Sequence, residues 1–147
     1  MEDWNFKIEK RPKKVIERLK SELNSMGGFV FDENKPTTFS FRKRILYPFY
    51  MAFQNWTIVN GKLLNNKVED NTNVQISFNQ HFLIQLVIYI HIIIGLGFIF
   101  GLFITTKSYI FGGLIIALGI ALWIAVNRKF KKDIKQYKTL ITEIFGL

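Results

Sequence analysis

The sequence predicts an α+β membrane protein with a small cytosolic domain, a two-helix transmembrane hairpin and a basic amphipathic C-terminal helix. Residues 82–104 contain no ionised side chain, and residues 109–126 form a second uncharged apolar stretch. At about 1.5 Å per residue, helices of these lengths match a bilayer core of about 30 Å. The residues before them show helical and then strand periodicity, which predicts one helix and three to five antiparallel strands.

The polar segment 105–108 separates the two apolar stretches, and Lys107 is the one charged residue in 82–126. A short polar segment between two apolar helices predicts a tight turn. We therefore divide the chain into a cytosolic domain at 1–81, a transmembrane hairpin at 82–126 and a C-terminal helix at 127–147.

The N-terminal domain begins with a polar stretch, residues 1–11, that is either a flexible arm or a short edge strand. Pro12 suits a first helical turn, because its missing N–H would have no partner there. Apolar residues then recur at helical spacing, which predicts a helix over 12–26; they are Val15, Ile16, Leu19 and Leu23. Gly27 and Gly28 predict its end.

Strand periodicity follows the helix. Residues 29–31 and 38–42 alternate around a polar turn at 32–36, which predicts a β-hairpin. Its four phenylalanines would share one face and cover the apolar stripe of the helix; they are Phe29, Phe31, Phe39 and Phe41. Pro48 argues against a continuous strand over 45–53.

The sequence around Asn60 and Gly61 is compatible with two strand registers. These two residues form the strongest short hairpin signal in the chain. A single strand that continues through Leu63 and Leu64 fits the pattern equally well. A last strand is predicted at 74–79, leading into the first apolar helix.

The charge distribution predicts the orientation in the membrane. The chain has 20 Lys and Arg and 11 Asp and Glu, a net charge of +9. Four basic residues follow the second apolar helix directly, at the predicted membrane interface: Arg128, Lys129, Lys131 and Lys132. Basic residues beside membrane helices stay cytoplasmic, so both termini are predicted in the cytoplasm. Abundant Asn, Ile, Lys and Phe are typical of AT-rich bacterial genomes, so we expect a bacterial protein. With both termini in the cytoplasm, its hairpin is expected in the inner membrane. Nucleic-acid binding explains the charge less well.

Residues 127–146 carry apolar residues at helical spacing, at positions 130, 134, 137, 141 and 144, among several lysines. This pattern predicts an amphipathic helix. It either continues the second membrane helix into the cytoplasm or bends to lie in the headgroup layer.

Small residues predict a helix-packing seam within the membrane. The second apolar helix has one at every fourth position, and the first has a GxxxG pair; the seam residues are Gly97, Gly101, Gly113, Ala117, Ala121 and Ala125. Small residues let helix backbones approach closely. The pattern is compatible with contact inside one hairpin or between two chains, and favours a homo-oligomer or a larger membrane complex.

His91 is a polar residue near the middle of the first apolar helix, where a polar side chain is costly. No acidic or basic residue accompanies it in either helix. This favours a neutral imidazole bonded within a bundle over a proton path, with a modest preference for a partner from another chain.

A basic triplet, Arg42-Lys43-Arg44, precedes the aromatic residues of 47–56. We rank a core role for the aromatic residues first, a membrane-interface role second and nucleic-acid binding a distant third.

Catalytic motifs are not visible in the sequence. There is no cysteine, no phosphate-binding glycine loop and no metalloprotease motif, and Glu69-Asp70 is a lone acidic pair. We therefore predict no enzyme activity, no cofactor, no metal and no small-molecule substrate.

The predicted function is a non-enzymatic membrane anchor or accessory subunit whose cytosolic domain binds a partner. The alternative is a membrane effector, in which a cytosolic sensing domain controls hairpin oligomers that permeabilise the bilayer.

Overall fold

The computed structural model describes residues 2–35, 37–44, 56–65, 71–101 and 108–147. The strands are β1 (Glu2–Ile8), β2 (Phe29–Lys35), β3 (Thr38–Lys43), β4 (Thr57–Asn65) and β5 (Thr72–Gln80), and the helices are α1 (Pro12–Met26), α2 (Phe82–Ile99) and α3 (Ser108–Phe145). The chain forms two compact units. Unit 1 contains Met1–Gln80 and Lys132–Leu147, and unit 2 contains His81–Lys131.

Unit 1 is built on one antiparallel sheet with the strand order β1-β5-β4-β3-β2. The N-terminal stretch is an edge strand, one of the two predicted alternatives, and pairs Trp4 with Ile76 on β5. Val59 on β4 pairs with Phe78 on one side and with Phe41 on the other. The predicted N-terminal antiparallel sheet is therefore confirmed.

One face of the sheet carries the core of unit 1. Alternate residues on β3, β4 and β5 are buried; they are Phe39, Phe41, Val59, Leu63, Val74, Ile76 and Phe78. Helix α1 has the predicted bounds and buries the four predicted apolar residues, Val15, Ile16, Leu19 and Leu23. The opposite face carries mainly polar residues that are exposed or half-buried.

The β2–β3 hairpin has the predicted phenylalanines on one face. The ring centroids of Phe31 and Phe39 are 5.8 Å apart, and those of Phe29 and Phe41 are 6.4 Å apart. β2 extends to Lys35, farther than predicted, and its register shifts between Glu33 and Lys35. This irregularity lets the strand pass through residues that we had assigned to the turn.

β4 is a single strand through Asn60 and Gly61, so the alternative without a turn is the one that forms. Gly61 lies opposite Phe39 on β3. A Cβ at Gly61 would overlap the Phe39 ring. The glycine therefore makes room for an aromatic side chain of the neighbouring strand, and pairing with β3 and β5 replaces the local turn.

Helix α2 ends at Ile99, five residues before the predicted boundary at 104. The Phe100 N–H donates to the Leu96 carbonyl at 2.9 Å, and Gly101 adopts φ 72°. This left-handed conformation ends a helix and favours glycine. Two segments lie outside the described residues: 102–107, which includes the predicted turn up to Lys107, and 45–55.

Helix α3 passes through the predicted boundary at residue 126 without a break and continues to Phe145. The two long apolar helices are thus present, and the second extends into the C-terminal segment. The structure groups Lys132–Leu147 with the N-terminal residues in unit 1.

We expect Gly61→Ala to destabilise unit 1 by about 1–3 kcal/mol, because the added methyl group overpacks the site under Phe39. Thermal unfolding of the purified full chain in detergent measures this loss. Phe39→Leu shortens the opposing side chain, so Gly61→Ala should cost less in that background. An equal cost in both backgrounds would contradict the proposed overlap.

Candidate functional site

The two apolar helices expose most of their side chains. Each contains an 18-residue window of mean hydropathy 2.4, of which 22% is buried in α2 and 11% in α3. Large apolar residues such as Ile93 and Leu114 are 66% and 58% exposed. A core helix of a water-soluble protein would be mostly buried, whereas these helices are long and apolar enough to cross a membrane.

Glycines bring α2 and α3 together within unit 2. A Cβ built on Gly112 would lie 2.6 Å from the Gly95 carbonyl oxygen, closer than real side chains approach. A Cβ on Gly119 would lie 3.1 Å from the His91 Cβ. The helix backbones therefore approach closely at three glycines, Gly95, Gly112 and Gly119, which our sequence analysis did not select.

The small residues predicted as a packing seam differ in their exposure. Gly97 is buried in α2, but Gly101 follows the end of that helix. A Cβ on Gly113 would meet no described atom within 4 Å, and Ala117, Ala121 and Ala125 are exposed. The α3 residues of this set are therefore exposed, whereas the close approach to α2 described above is at Gly112 and Gly119. Their contact with another chain stays a prediction.

The spacing of Gly112 and Gly119 could have revealed the contact. Seven residues are two helical turns, so these glycines share one face of α3. We instead selected the longer series of small residues at every fourth position of α3. That series begins at Gly113, one residue after Gly112.

His91 bonds within its own helix. Its Nδ1 atom is 2.8 Å from the carbonyl oxygen of Val87, one turn earlier. Because a carbonyl oxygen only accepts, Nδ1 carries the proton in this contact. The described residues thus give the imidazole a backbone partner, and a partner from another chain is not needed for this nitrogen.

The C-terminal part of α3 completes the core of unit 1. Four residues at the predicted helical spacing are buried; they are Ile134, Tyr137, Ile141 and Ile144. The ring centroids of Tyr137 and Phe41 are 5.7 Å apart in an edge-on arrangement. Phe145 lies 6.4 Å from Phe6 at the β1 edge. This segment therefore covers the same face of the sheet as the buried phenylalanines.

Two polar contacts fix this segment to the sheet. The Thr57 hydroxyl donates to the buried Asp133 carboxylate at 3.0 Å, and the Lys43 N–H donates to the Tyr137 hydroxyl at 3.4 Å. Burial raises the pKa of Tyr137 to about 12, and the Asp133 charge acts in the same direction while the Lys43 N–H opposes it. Tyr137 therefore stays neutral up to a higher pH than an ordinary tyrosine does.

The predicted interface residues lie along α3. Arg128, Lys131 and Lys132 are exposed, and Lys129 is half-buried. Their contact with a membrane surface stays a prediction. In the basic triplet, Arg42 is half-buried and Lys43 is exposed, whereas the aromatic residues at 47–53 lie outside the described residues.

A groove of about 480 Å³ runs along the C-terminal part of α3 within unit 1. We call it the α3 groove. Its lining combines apolar, hydroxyl, amide and charged side chains: Phe29, Lys43, Lys135, Gln136, Tyr137, Thr139, Leu140 and Glu143. Such a mixture of an apolar surface and a few polar groups is typical of ligand-binding sites.

A smaller pocket of about 330 Å³ lies over the polar face of the sheet, around Gly61. Within the part of the chain that the structure describes, no three His, Cys, Asp or Glu residues lie together as metal ligands would. The predicted acidic pair Glu69-Asp70 lies outside that part.

Comparison with known proteins gives no assignment: no protein-family profile, curated protein sequence or solved structure matches this chain significantly.

We expect Gly112→Ala to destabilise unit 2 and Gly113→Ala to leave it nearly unchanged. The first methyl group would press against the Gly95 carbonyl, and the second would enter open space. Overpacking of this kind costs about 1–3 kcal/mol. Thermal unfolding of the two variants in the same detergent provides a comparison of adjacent positions. Equal stabilities would contradict the described contact between α2 and α3.

The stability of unit 1 should fall as the pH rises from 10 to 12. The pKa of Tyr137 rises from 10.0 to about 12 on folding, so the neutral form is favoured in the folded state. This contribution is complete below pH 10 and amounts to about 2–3 kcal/mol, which is lost as pH passes through the folded pKa.

Thermal unfolding between pH 9 and pH 12 tests this expectation in the wild type and in Tyr137→Phe. The variant shares the titration of the lysines but lacks the phenol. Its stability should therefore fall less steeply above pH 10. Parallel curves for the two proteins would refute the assignment.

Proposed function

We propose that this chain is a non-enzymatic integral membrane anchor or accessory subunit whose folded cytosolic domain binds a partner. The exposed apolar surface of α2 and of residues 109–126 in α3 carries the proposal. Apolar surface of this extent is unfavourable in water, whereas a bilayer solvates it and the helices satisfy their own backbone hydrogen bonds.

In this proposal, unit 1 is the part of the chain that binds the partner. It presents a polar sheet face with a pocket and the α3 groove on a packed core. Surfaces held by a rigid core suit recognition. The Thr57–Asp133 and Lys43–Tyr137 contacts hold the groove-forming part of α3 against the sheet.

We place both termini in the cytoplasm and the hairpin in a bacterial inner membrane. Of the 20 basic residues, 13 precede residue 82 and six follow residue 126. Lys107 alone belongs to the connection between the apolar helices. The positive-inside rule therefore favours a cytoplasmic location for unit 1.

Reporter fusions and carbonate extraction test this proposal. The full chain should remain in membranes washed with alkaline carbonate. Alkaline phosphatase should be inactive when fused to either terminus and active when inserted after Thr106, because the enzyme folds only in the periplasm. Release by carbonate would refute the anchor, and an active fusion at a terminus would refute the orientation.

The exposed small residues of α3 favour the membrane effector as a second candidate. Gly113, Ala117, Ala121 and Ala125 are exposed on α3, so they are accessible to a second copy. Leakage of a dye from vesicles that contain the purified chain distinguishes the candidates. Leakage that Ala117→Ile and Ala121→Ile abolish supports the effector, whereas intact vesicles support the anchor.

A further inference from the structure

We propose that the α3 groove binds the phosphate-bearing headgroup of an anionic phospholipid. This inference rests on the proposed membrane anchoring and identifies a ligand for the domain. The groove lies wholly within unit 1, and its lining contains both cationic and apolar side chains.

Two exposed lysines, Lys43 on β3 and Lys135 on α3, provide the positive charge for a phosphate. Each ammonium group has three hydrogen-bond donors and no acceptor, so both suit a phosphate oxygen. The Tyr137 hydroxyl accepts the Lys43 N–H, which leaves its own proton available as a donor. The Gln136 side chain adds amide donors to the same lining.

The apolar part of the groove favours a lipid over a free phosphate ion. Phe29 and Leu140 line it and are half-buried, so each still presents apolar surface. An inorganic ion leaves such surface in contact with water. The glycerol and first acyl carbons of a phospholipid would cover it, and this burial is favourable.

Lys43 lies at the end of the sheet where β5 finishes and the chain continues to α2. Phe41, Val59 and Phe78 lie side by side on three strands. Two residues farther in the same direction lie Lys43 and Gln80, the last residue of β5, after which α2 begins at Phe82.

Glu143 determines which part of the groove receives the phosphate. It lies eight residues after Lys135, about 12 Å farther along the axis of α3. Its carboxylate repels an anion, so the phosphate occupies the end near Lys43 and Lys135. Basic residues near an anionic membrane surface strengthen binding, and Lys132 lies one turn before Lys135 on α3.

Native mass spectrometry of the full chain in a neutral detergent tests the site. The probes are dihexanoyl phosphatidylglycerol and dihexanoyl phosphatidylcholine, titrated separately. We expect the wild type to retain the anionic lipid with about tenfold higher affinity. The double variant Lys43→Gln/Lys135→Gln should lose this preference, because both changes keep the polar side chain and remove the charge.

The matched control is Lys14→Gln/Lys20→Gln, which removes the same charge from exposed positions on α1. It should keep the preference, and Glu143→Gln should raise the affinity about twofold by removing the repulsion. Equal losses in the two double variants would show non-specific attraction and overturn the proposal. Competition by inorganic phosphate at the concentration of the lipid would overturn the lipid assignment in favour of free phosphate.

Carbonate extraction separates this inference from the proposed anchor. A wild-type chain that stays in washed membranes but shows no preference for phosphatidylglycerol overturns the lipid site and leaves the anchor standing. A chain that carbonate releases overturns both.

Discussion

The core of unit 1 depends on apolar side chains in the C-terminal part of α3, which follow both apolar stretches in the sequence. Tyr137 packs edge-on against Phe41, and Phe145 approaches Phe6, so the C-terminal part of α3 covers the phenylalanine-rich face of the sheet. Full burial of a large apolar side chain contributes about 1.5–3 kcal/mol. Together with α1, this segment removes the inner face of the sheet from water. The α3 groove, the hydrogen bond from Thr57 to Asp133 and the raised pKa of Tyr137 all follow from this docking.

Local patterns predicted the elements whose structure local chemistry determines. Pro12, an apolar stripe and two following glycines were enough to predict α1 with its bounds, and alternation predicted strands with phenylalanines on one face. The apolar stripe of the C-terminal helix was equally visible. Its partner was not, because the sheet that it covers is more than 50 residues away in sequence.

The contacts made at glycines could not be predicted from local sequence patterns. Asn60-Gly61 has the composition of a hairpin turn, but the Phe39 ring on a neighbouring strand uses the space at Gly61. In unit 2, helical periodicity correctly identified faces rich in small residues. It did not indicate that the face with Gly112 and Gly119, rather than the one with Gly113 and Ala117, meets α2. Both contacts depend on a partner that is remote in sequence. The α3 groove was missed for the same reason, since Lys43 and Lys135 line a common groove only when α3 docks.

Unit 1 is formed by two parts of the chain that are separated in sequence, which affects how it folds during synthesis on the ribosome. A ribosome that has completed β5 at Gln80 must add 54 more residues before Ile134 is made. At about 5–20 residues per second this takes roughly 3–10 seconds. During that interval the nascent sheet lacks its second covering helix, and Phe41 and Phe78 are without the segment that later packs over them. The two apolar helical segments are thus synthesised before the core of unit 1 can be completed, so the order of translation makes the folding of unit 1 wait for them.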